Sequence, residues 1–467
     1  MCDLGFTDKE ENRYLLEKKD ISSLVDKSIQ MTPLHNHLLN REMLLYRSLY
    51  IEEKKIKNCS LDKASLKFKP EMRIIKYLVE NKSDINYLDH YKRTVLHYAT
   101  SNEIVTLEIV KYLIERKCEI NIQNSTGNSP LHNTSKKFFF FCLIYYFNLF
   151  FSIYFIIIFF WTGSFKINPK IAIYLIESKC ELNSVDEEMW TPLHLLCRYN
   201  LRQEVIEKMV EYKVNLEAKN KNGWTPLLLS SRYSSDLNII KYLIDNKSDI
   251  QTKNKSNTPL HLSCINSACL DIVKYFVENK LDFNLKGSFG NTPLHNACKN
   301  FLRNVDCIRY LAELKSDMTI NNNNKNNVFH VLCSNENITS ESLSILIENC
   351  QFKENLEIQL DENIEINDLS PLNMQNGEDL TPLHFACKNK SVTLDIIKLL
   401  VENKSDLNTR DKSNNTPLHF LCNFSFVNES CRKENETIEI LKYMIEKNAN
   451  LTLTNEDGMA PLQYACI

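Results

Sequence analysis

Glycine and proline are scarce in this chain, with 8 Gly and 12 Pro in 467 residues. Dinucleotide-binding and phosphate-loop enzymes are built on glycine-rich turns, so neither class is expected. A large β-sandwich array needs many Gly and Pro turns and is excluded on the same ground. An excess of one charge is also missing. The 56 basic and 59 acidic residues leave a net charge of -3, so no overall field points to nucleic acid. Met1–Asp20 is rich in charge, which argues against a secretory signal peptide. The 16 Cys are therefore expected as reduced thiols in a cytoplasmic protein, not as a disulfide framework. No two of them have Cys-x-x-Cys spacing, so the simplest zinc and redox sites are absent from the pattern, and no metal or cofactor is expected.

What the chain has instead is asparagine, 54 residues of it, and a repeat. Thr-Pro-Leu-His begins at Thr32, Thr191, Thr258, Thr292, Thr381 and Thr416. Degenerate copies begin at Thr94, Ser129, Thr225, Asn327 and Ala460. Five successive steps between them are 33 to 35 residues long. A second motif keeps the same phase. Ile74–Asn86 reads IIKYLVENKSDIN, and near copies start at Ile109, Ile171, Val205, Ile239, Ile272, Cys307, Ile396 and Ile440. Its apolar residues fall on one stripe of a short helix. The next Thr-Pro-Leu-His position follows each start by 19 or 20 residues. The pattern resembles the ankyrin repeat, whose period is 33 and whose signature is T-P-L-H-x-A. The resemblance covers nearly the whole chain. It implies an all-α solenoid of paired antiparallel helices joined by β-hairpin loops, with about ten full repeats and a partial eleventh.

Each motif residue has a physical task. Thr caps a helix by accepting a bond from the free N–H groups of the first turn. Pro fits the next position because its missing N–H would be unpaired there anyway. Nine of the 11 His occupy one repeat position: His35, His97, His132, His194, His261, His295, His330, His384 and His419. A residue repeated once per unit is spread along a stack, so these His are expected to bond neighbouring loops. A metal site would need about four ligands converging on one point. Cys197, Cys264, Cys298, Cys333, Cys387, Cys422 and Cys466 lie six residues after the capping position. First helices about 8–10 Å apart are too distant for bridges that need Cα atoms within about 7 Å. A ladder of buried free thiols is expected. At the hairpin tips, Asn, Lys and Ser replace several glycines. Asn in the run Asn321–Asn327 is expected to take the left-handed conformation that Gly127, Gly223, Gly290 and Gly458 take elsewhere.

The repeat is interrupted in three places. The first insert, around Asn40–Lys69, is charged and helix-compatible; it reads as an extended helix and surface loop, or as a partner-binding excursion. The second contains Phe138–Trp161, 24 residues with no charge, flanked by Lys136, Lys137 and Lys166. It is long enough to span a bilayer of about 30 Å. A single crossing would, however, place the two helices of one repeat on opposite sides of the membrane. Deleting 138–164 restores the normal 15 residues between cap and second helix. The preferred reading is a foreign insertion, such as an unspliced intron translated through. A membrane anchor and a helix packed on the repeats are the alternatives. The third interruption, Cys350–Leu380, is acidic and Asn-rich and reads as an exposed loop. The resulting organisation is a half-repeat cap over 1–31 (with Asn12–Ile21 as its helix), repeats over 32–137, an apolar insert over 138–164, and repeats over 165–467. The last unit stops just after its first helix begins, which predicts a frayed end or a truncated gene.

No residues remain for a catalytic domain, and no catalytic residues are assigned. What the ankyrin resemblance implies is protein–protein binding through hairpin tips and the first-helix face: a non-catalytic scaffold or adaptor. The alternative is a membrane-tethered ankyrin protein held by Phe138–Trp161. Two units stand out on that surface. Trp190 and Trp224 immediately precede a capping residue, and Arg198–Tyr199 and Arg232–Tyr233 follow at positions seven and eight. Trp, Tyr and Arg are enriched in binding hot spots. The structural alternative is that each Trp braces its hairpin.

Overall fold

The computed structural model describes residues 72–101, 105–135, 169–199, 203–265, 270–299, 305–350, 370–422 and 434–464. The expectations for Asn12–Ile21, His35, Asn40–Lys69, Phe138–Trp161 and Cys466–Ile467 lie outside these residues. Two compact units are present, 1–226 with 245–248, and 227–244 with 249–467.

In the first unit the helices are α1 (Met72–Glu80), α2 (Val95–Ser101), α3 (Leu107–Glu115), α4 (Pro130–Thr134), α5 (Pro169–Glu177), α6 (Pro192–Tyr199) and α7 (Gln203–Glu211). First helices pack on first helices, α2 on α4 and α4 on α6; second helices pack on second, α3 on α5 and α5 on α7. Helices α4 and α5 pack on each other although the apolar insert separates them in sequence. They are the two halves of one ordinary repeat. Ile171, Ala172, Leu175 and Ile176 of α5 are fully or nearly fully buried.

The second unit contains α8 (Pro226–Tyr233), α9 (Leu237–Asp245), α10 (Pro259–Ile265), α11 (Leu270–Glu278), α12 (Pro293–Lys299), α13 (Val305–Glu313), α14 (Val328–Cys333), α15 (Ser340–Glu348), α16 (Pro382–Lys388), α17 (Leu394–Glu402), α18 (Pro417–Cys422), α19 (Glu434–Glu446) and α20 (Pro461–Tyr464). The same pairing recurs, with α10, α12, α14, α16, α18 and α20 in one row and α11, α13, α15, α17 and α19 in the other. Helices this short are not stable alone in water, so their stability comes from burying one face against neighbours. Phe276 and Phe329 are the largest fully buried side chains.

The capping residue and the His form one device. The backbone N–H of Thr191 donates to His194 Nδ1 (3.1 Å), and the His194 N–H donates back to Thr191 Oγ1 (3.3 Å). Nδ1 is thus an acceptor, which fixes the proton on Nε2. That Nε2–H donates to the Trp224 carbonyl at 2.9 Å, in the next hairpin. The same bond to the following loop is made by His97, His132, His261, His295, His330, His384 and His419, at 2.9–3.2 Å. The His is therefore both the reciprocal partner in its own capping box and the tie to the next repeat.

The cysteine position behaves as expected. Cys197, Cys264, Cys298, Cys333, Cys387 and Cys422 are buried free thiols. Burial pushes Cys298 up to about 12 and Cys422 up to about 11, so both are unreactive. Among the described residues, where the position is not Cys it holds a small hydroxyl residue. Thr100, Ser135 and Ser231 donate to the carbonyls of Leu96, Leu131 and Leu227 at 2.8–3.0 Å.

Asparagine does three separate jobs. At the hairpin tips, an Asn or Asp opens a turn closed by a backbone bond to the residue four on. Asn124, Asn220, Asn322, Asn376 and Asn455 each accept two further backbone N–H groups on Oδ1, two and four residues on. Asp89, Asp186 and Asp411 do the same. Between repeats, Asn86, Asn121, Asn183, Asn284, Asn373 and Asn408 accept a backbone N–H from the following repeat at 2.7–3.0 Å. At helix ends, Asn81, Asn279, Asn349 and Asn403 donate Nδ2–H to the carbonyl four residues back. The hairpins contain no β-strand among the described residues, only an isolated bridge between Asn254 and Asn257. Asx side chains close the turns in place of a strand ladder.

Two expectations need correction. In the turn from Asn322 to Asn326 the left-handed residue is Lys325 (φ 58°), not an Asn. Asn322 acts as the acceptor that opens the turn, a role that needs a short amide side chain and not a positive φ. In Cys350–Leu380, the stretch from Ser370 is an ordinary repeat hairpin. Pro371, Leu372 and Asn376 are buried, and Gly377 N–H donates to the Asn324 carbonyl at 3.0 Å. The extra length falls in residues 351–369, outside the described residues.

Candidate protein-binding site

Trp190, Trp224, Arg198 and Tyr199 belong to the first unit. The Trp190 backbone is held on both sides. Its N–H donates to Asp186 Oδ1 (2.9 Å), and its carbonyl accepts from Asp186 N–H (3.0 Å) and His132 Nε2–H (2.9 Å). Trp224 is held the same way by Asn220 and His194. Position one before the cap is therefore a fixed point on the hairpin, from which the indole projects half-buried. The Trp190 ring meets His194 edge to face at 5.8 Å. On its other contact the Arg198 guanidinium lies 5.1 Å from the ring centroid, and 5.8 Å from that of Tyr199. Arg198 is exposed and Tyr199 half-buried, in the last turn of α6, where a cation also favours the helix dipole. Trp190, Arg198 and Tyr199 thus form one cation–π cluster.

Arg232 and Tyr233 end α8 in the second unit. Arg232 is half-buried, and its guanidinium lies 5.4 Å from the Tyr233 ring centroid. Tyr233 is 42% exposed. A solvent-exposed ring braced by a guanidinium loses little rotamer freedom on binding, which favours it as an anchor.

A third cluster of this kind is legible only when every residue before a cap is compared. Arg93, one before Thr94, lies 4.7 Å from the Tyr91 ring centroid and 4.6 Å from that of Tyr98. Its Nε–H donates to Asp89 at 2.9 Å, and Tyr98 Oη–H donates to the same carboxylate at 2.5 Å. Burial and the Asp89 bond raise the Tyr98 pKa, so it stays protonated and donating. Here the cluster is mostly inward, since Tyr98 and Asp89 are buried.

Among the described residues no group of three or more His, Cys, Asp or Glu is placed to hold a metal ion. No described helix is long and apolar enough to cross a membrane.

A family model for ankyrin repeats in three copies matches residues 61–137, 164–254 and 235–324, and one for ankyrin repeats in many copies matches 366–421. The chain belongs to the ankyrin-repeat family. Its fold is the all-α ankyrin solenoid, helix-rich and with no strand among the described residues. The matched stretches stop at 137 and resume at 164, so the apolar insert falls outside the ankyrin pattern. No curated protein matches the chain. Ankyrin repeats are interaction modules, and protein binding is the function class that membership supports.

Proposed function

We propose that this chain is a non-catalytic adaptor that binds a protein partner, using Trp190, Arg198 and Tyr199 with Trp224 in one unit and Arg232 with Tyr233 in the other. The observation that carries this is the braced cation–π cluster at Trp190. Its ring is held by the hairpin and its guanidinium is solvent-facing. Each side chain also supports its own repeat, so the bracing role and the binding role coexist. Substituting R198A and Y199A, and separately R232A and Y233A, is expected to weaken partner capture by roughly tenfold or more. Thermal unfolding should stay cooperative, with losses of about 1 kcal/mol or less. Capture equal to wild type by both double variants would reject these positions as anchors.

We further propose that 138–164 is an insertion foreign to the repeat. The packing of α4 on α5 and the gap in the family match support this reading over a membrane tether. A chain lacking 138–164 is expected to be monodisperse, with helical signal per residue at least equal to that of the full chain. Loss of cooperative unfolding in the shortened chain would show that the insert is part of the repeat structure.

A further inference from the structure

The most exposed large apolar side chain among the described residues is Phe289, at 77%. It sits at the tip of the hairpin before α12, and its backbone is left-handed, with φ 60°. Both features oppose folding: a bare phenyl ring in water and a positive φ on a bulky residue. Strain of this kind is a pointer to function when the surrounding structure fixes it. Here it does. Ser288 N–H donates to Asn257 Oδ1 (2.9 Å), and Ser288 Oγ–H donates to the Lys255 carbonyl. Asn323 N–H donates to the Phe289 carbonyl (2.9 Å), and Asn322 Nδ2–H to Asn291 Oδ1 (3.0 Å). Gly287 packs so tightly that a Cβ would fall 2.5 Å from Asn257 Oδ1 and 2.6 Å from His261 Cδ2. The phenyl ring is therefore presented on a rigid tip, clamped between the tips on either side.

The charge on this tip and the two tips that clamp it is of one sign. Lys253, Lys255, Lys286 and Lys325 are exposed on the same three tips, and residues 250–258, 283–291 and 318–327 contain no Asp or Glu. The carboxylates closest in sequence, Asp249, Asp282 and Asp317, each accept a backbone N–H two residues on; the next acidic side chain, Glu378, stands on the following tip, where Gly377 N–H donates to the Asn324 carbonyl, and pairs with Lys412 at 3.8 Å. This patch contrasts with a chain whose net charge is -3.

We propose that these three tips dock an acidic segment of a protein partner, with an apolar side chain of that segment packed on Phe289 and its carboxylates paired with the four lysines. The proposal rests on the reading of the chain as an interaction module and adds a second surface with its own ligand chemistry. Single-stranded nucleic acid fits less well, because one lone ring offers no row of stacking platforms and no arginine is present on these tips.

The test uses the full chain. Random 12-residue displayed peptides are selected on the wild type and then measured by fluorescence anisotropy at low salt. The expected binders are rich in Asp and Glu around an apolar residue. F289A and the fourfold K253E/K255E/K286E/K325E variant should each weaken them by roughly tenfold or more, and added salt should weaken them further. F289G should lose binding while raising the unfolding temperature, since Gly relieves the left-handed strain. A purely structural Phe289 would lower it. Selected peptides without acidic enrichment would overturn the proposal, as would binding that survives F289A. Tighter binding of a single-stranded oligothymidylate than of any peptide would also overturn it. Peptides that depend on Arg198 and Tyr199 but not on Phe289 would reject this site and leave the adaptor reading intact.

Discussion

Lowering the pH from 7 to 5 is expected to unfold the second unit, and the buried histidines are the cause. Burial holds His261, His295, His330 and His384 at pKa values of about 4, against an ordinary value of 6.5. A group whose folded pKa is depressed binds its proton more readily when unfolded. Its contribution is complete above pH 6.5 and is lost as pH falls from 6.5 toward 4. At pH 5 each such His forfeits about 2 kcal/mol. Four in one unit forfeit about 8 kcal/mol, comparable with the whole stability of a typical domain at about 5–15 kcal/mol. The geometry explains the sign. Nδ1 accepts the backbone N–H of the capping residue, so a protonated ring loses that bond and buries a charge. The first unit contains His97, held at about 4 as well, and His194, lowered by the same burial, so it should follow.

The chain contains its own control. In the last repeat Gln463 occupies the His position, and Ala460 N–H donates to Gln463 Oε1 at 2.6 Å. Gln makes the half of the capping box that His makes elsewhere, accepting the N–H of the capping residue, and cannot titrate. The double variant H295Q/H330Q should thus be less stable at pH 7, because the ties to the Asn326 and Leu380 carbonyls are lost. It should also lose stability more slowly toward pH 5. Circular dichroism with urea at a series of pH values reads both. An unchanged slope in the variant would assign acid unfolding to other groups.

Much of this was legible in the sequence, and the reasons differ by residue. The period, the cap and the His ladder were readable because each is a side chain whose task is local and repeated. The 19-residue step from Ile239 to Thr258 is also explained. Its hairpin is one residue shorter and closes through Lys255 and Ser256, both at positive φ. The three jobs of Asn were not separable in the sequence, since one side chain serves as turn opener, inter-repeat acceptor and helix-end donor. Phe289 was missed because an exposed aromatic is visible only once burial is known. The lysine that ends most second helices was missed for a different reason: nothing in its chemistry announces a left-handed backbone.

Replacing those lysines is expected to stabilise the chain substantially. Lys82, Lys117, Lys179, Lys213, Lys247, Lys280, Lys315 and Lys404 all have φ between 60° and 76°. Where the end is closed by backbone bonds, the pattern is constant. Lys280 N–H donates to the Val277 carbonyl (2.8 Å) and Leu281 N–H to Phe276 (3.1 Å); Lys404 and Ser405 repeat this on Val401 and Leu400. This is the Schellman closure, which favours Gly at the left-handed position. A Cβ there costs about 1–2 kcal/mol. Gly regains flexibility in the unfolded chain, returning about 0.5–1 kcal/mol of that. It also gives up the cation at a helix C-terminus, about 0.3 kcal/mol at an exposed site. The balance is a gain of about 0.5 kcal/mol per Lys→Gly change. The sites are one per repeat and share no side-chain partners, so the gains should add to about 4 kcal/mol over eight. Asn448 takes the same left-handed position at the end of α19 (φ 69°), which predicts that Lys→Asn falls between Gly and Lys. Lys→Ala should gain nothing, because its Cβ meets the same carbonyl. The order Gly, then Asn, then Lys and Ala in urea midpoint is the signature of backbone strain. A Gly series no better than the Ala series would instead mean that these ends are already relaxed.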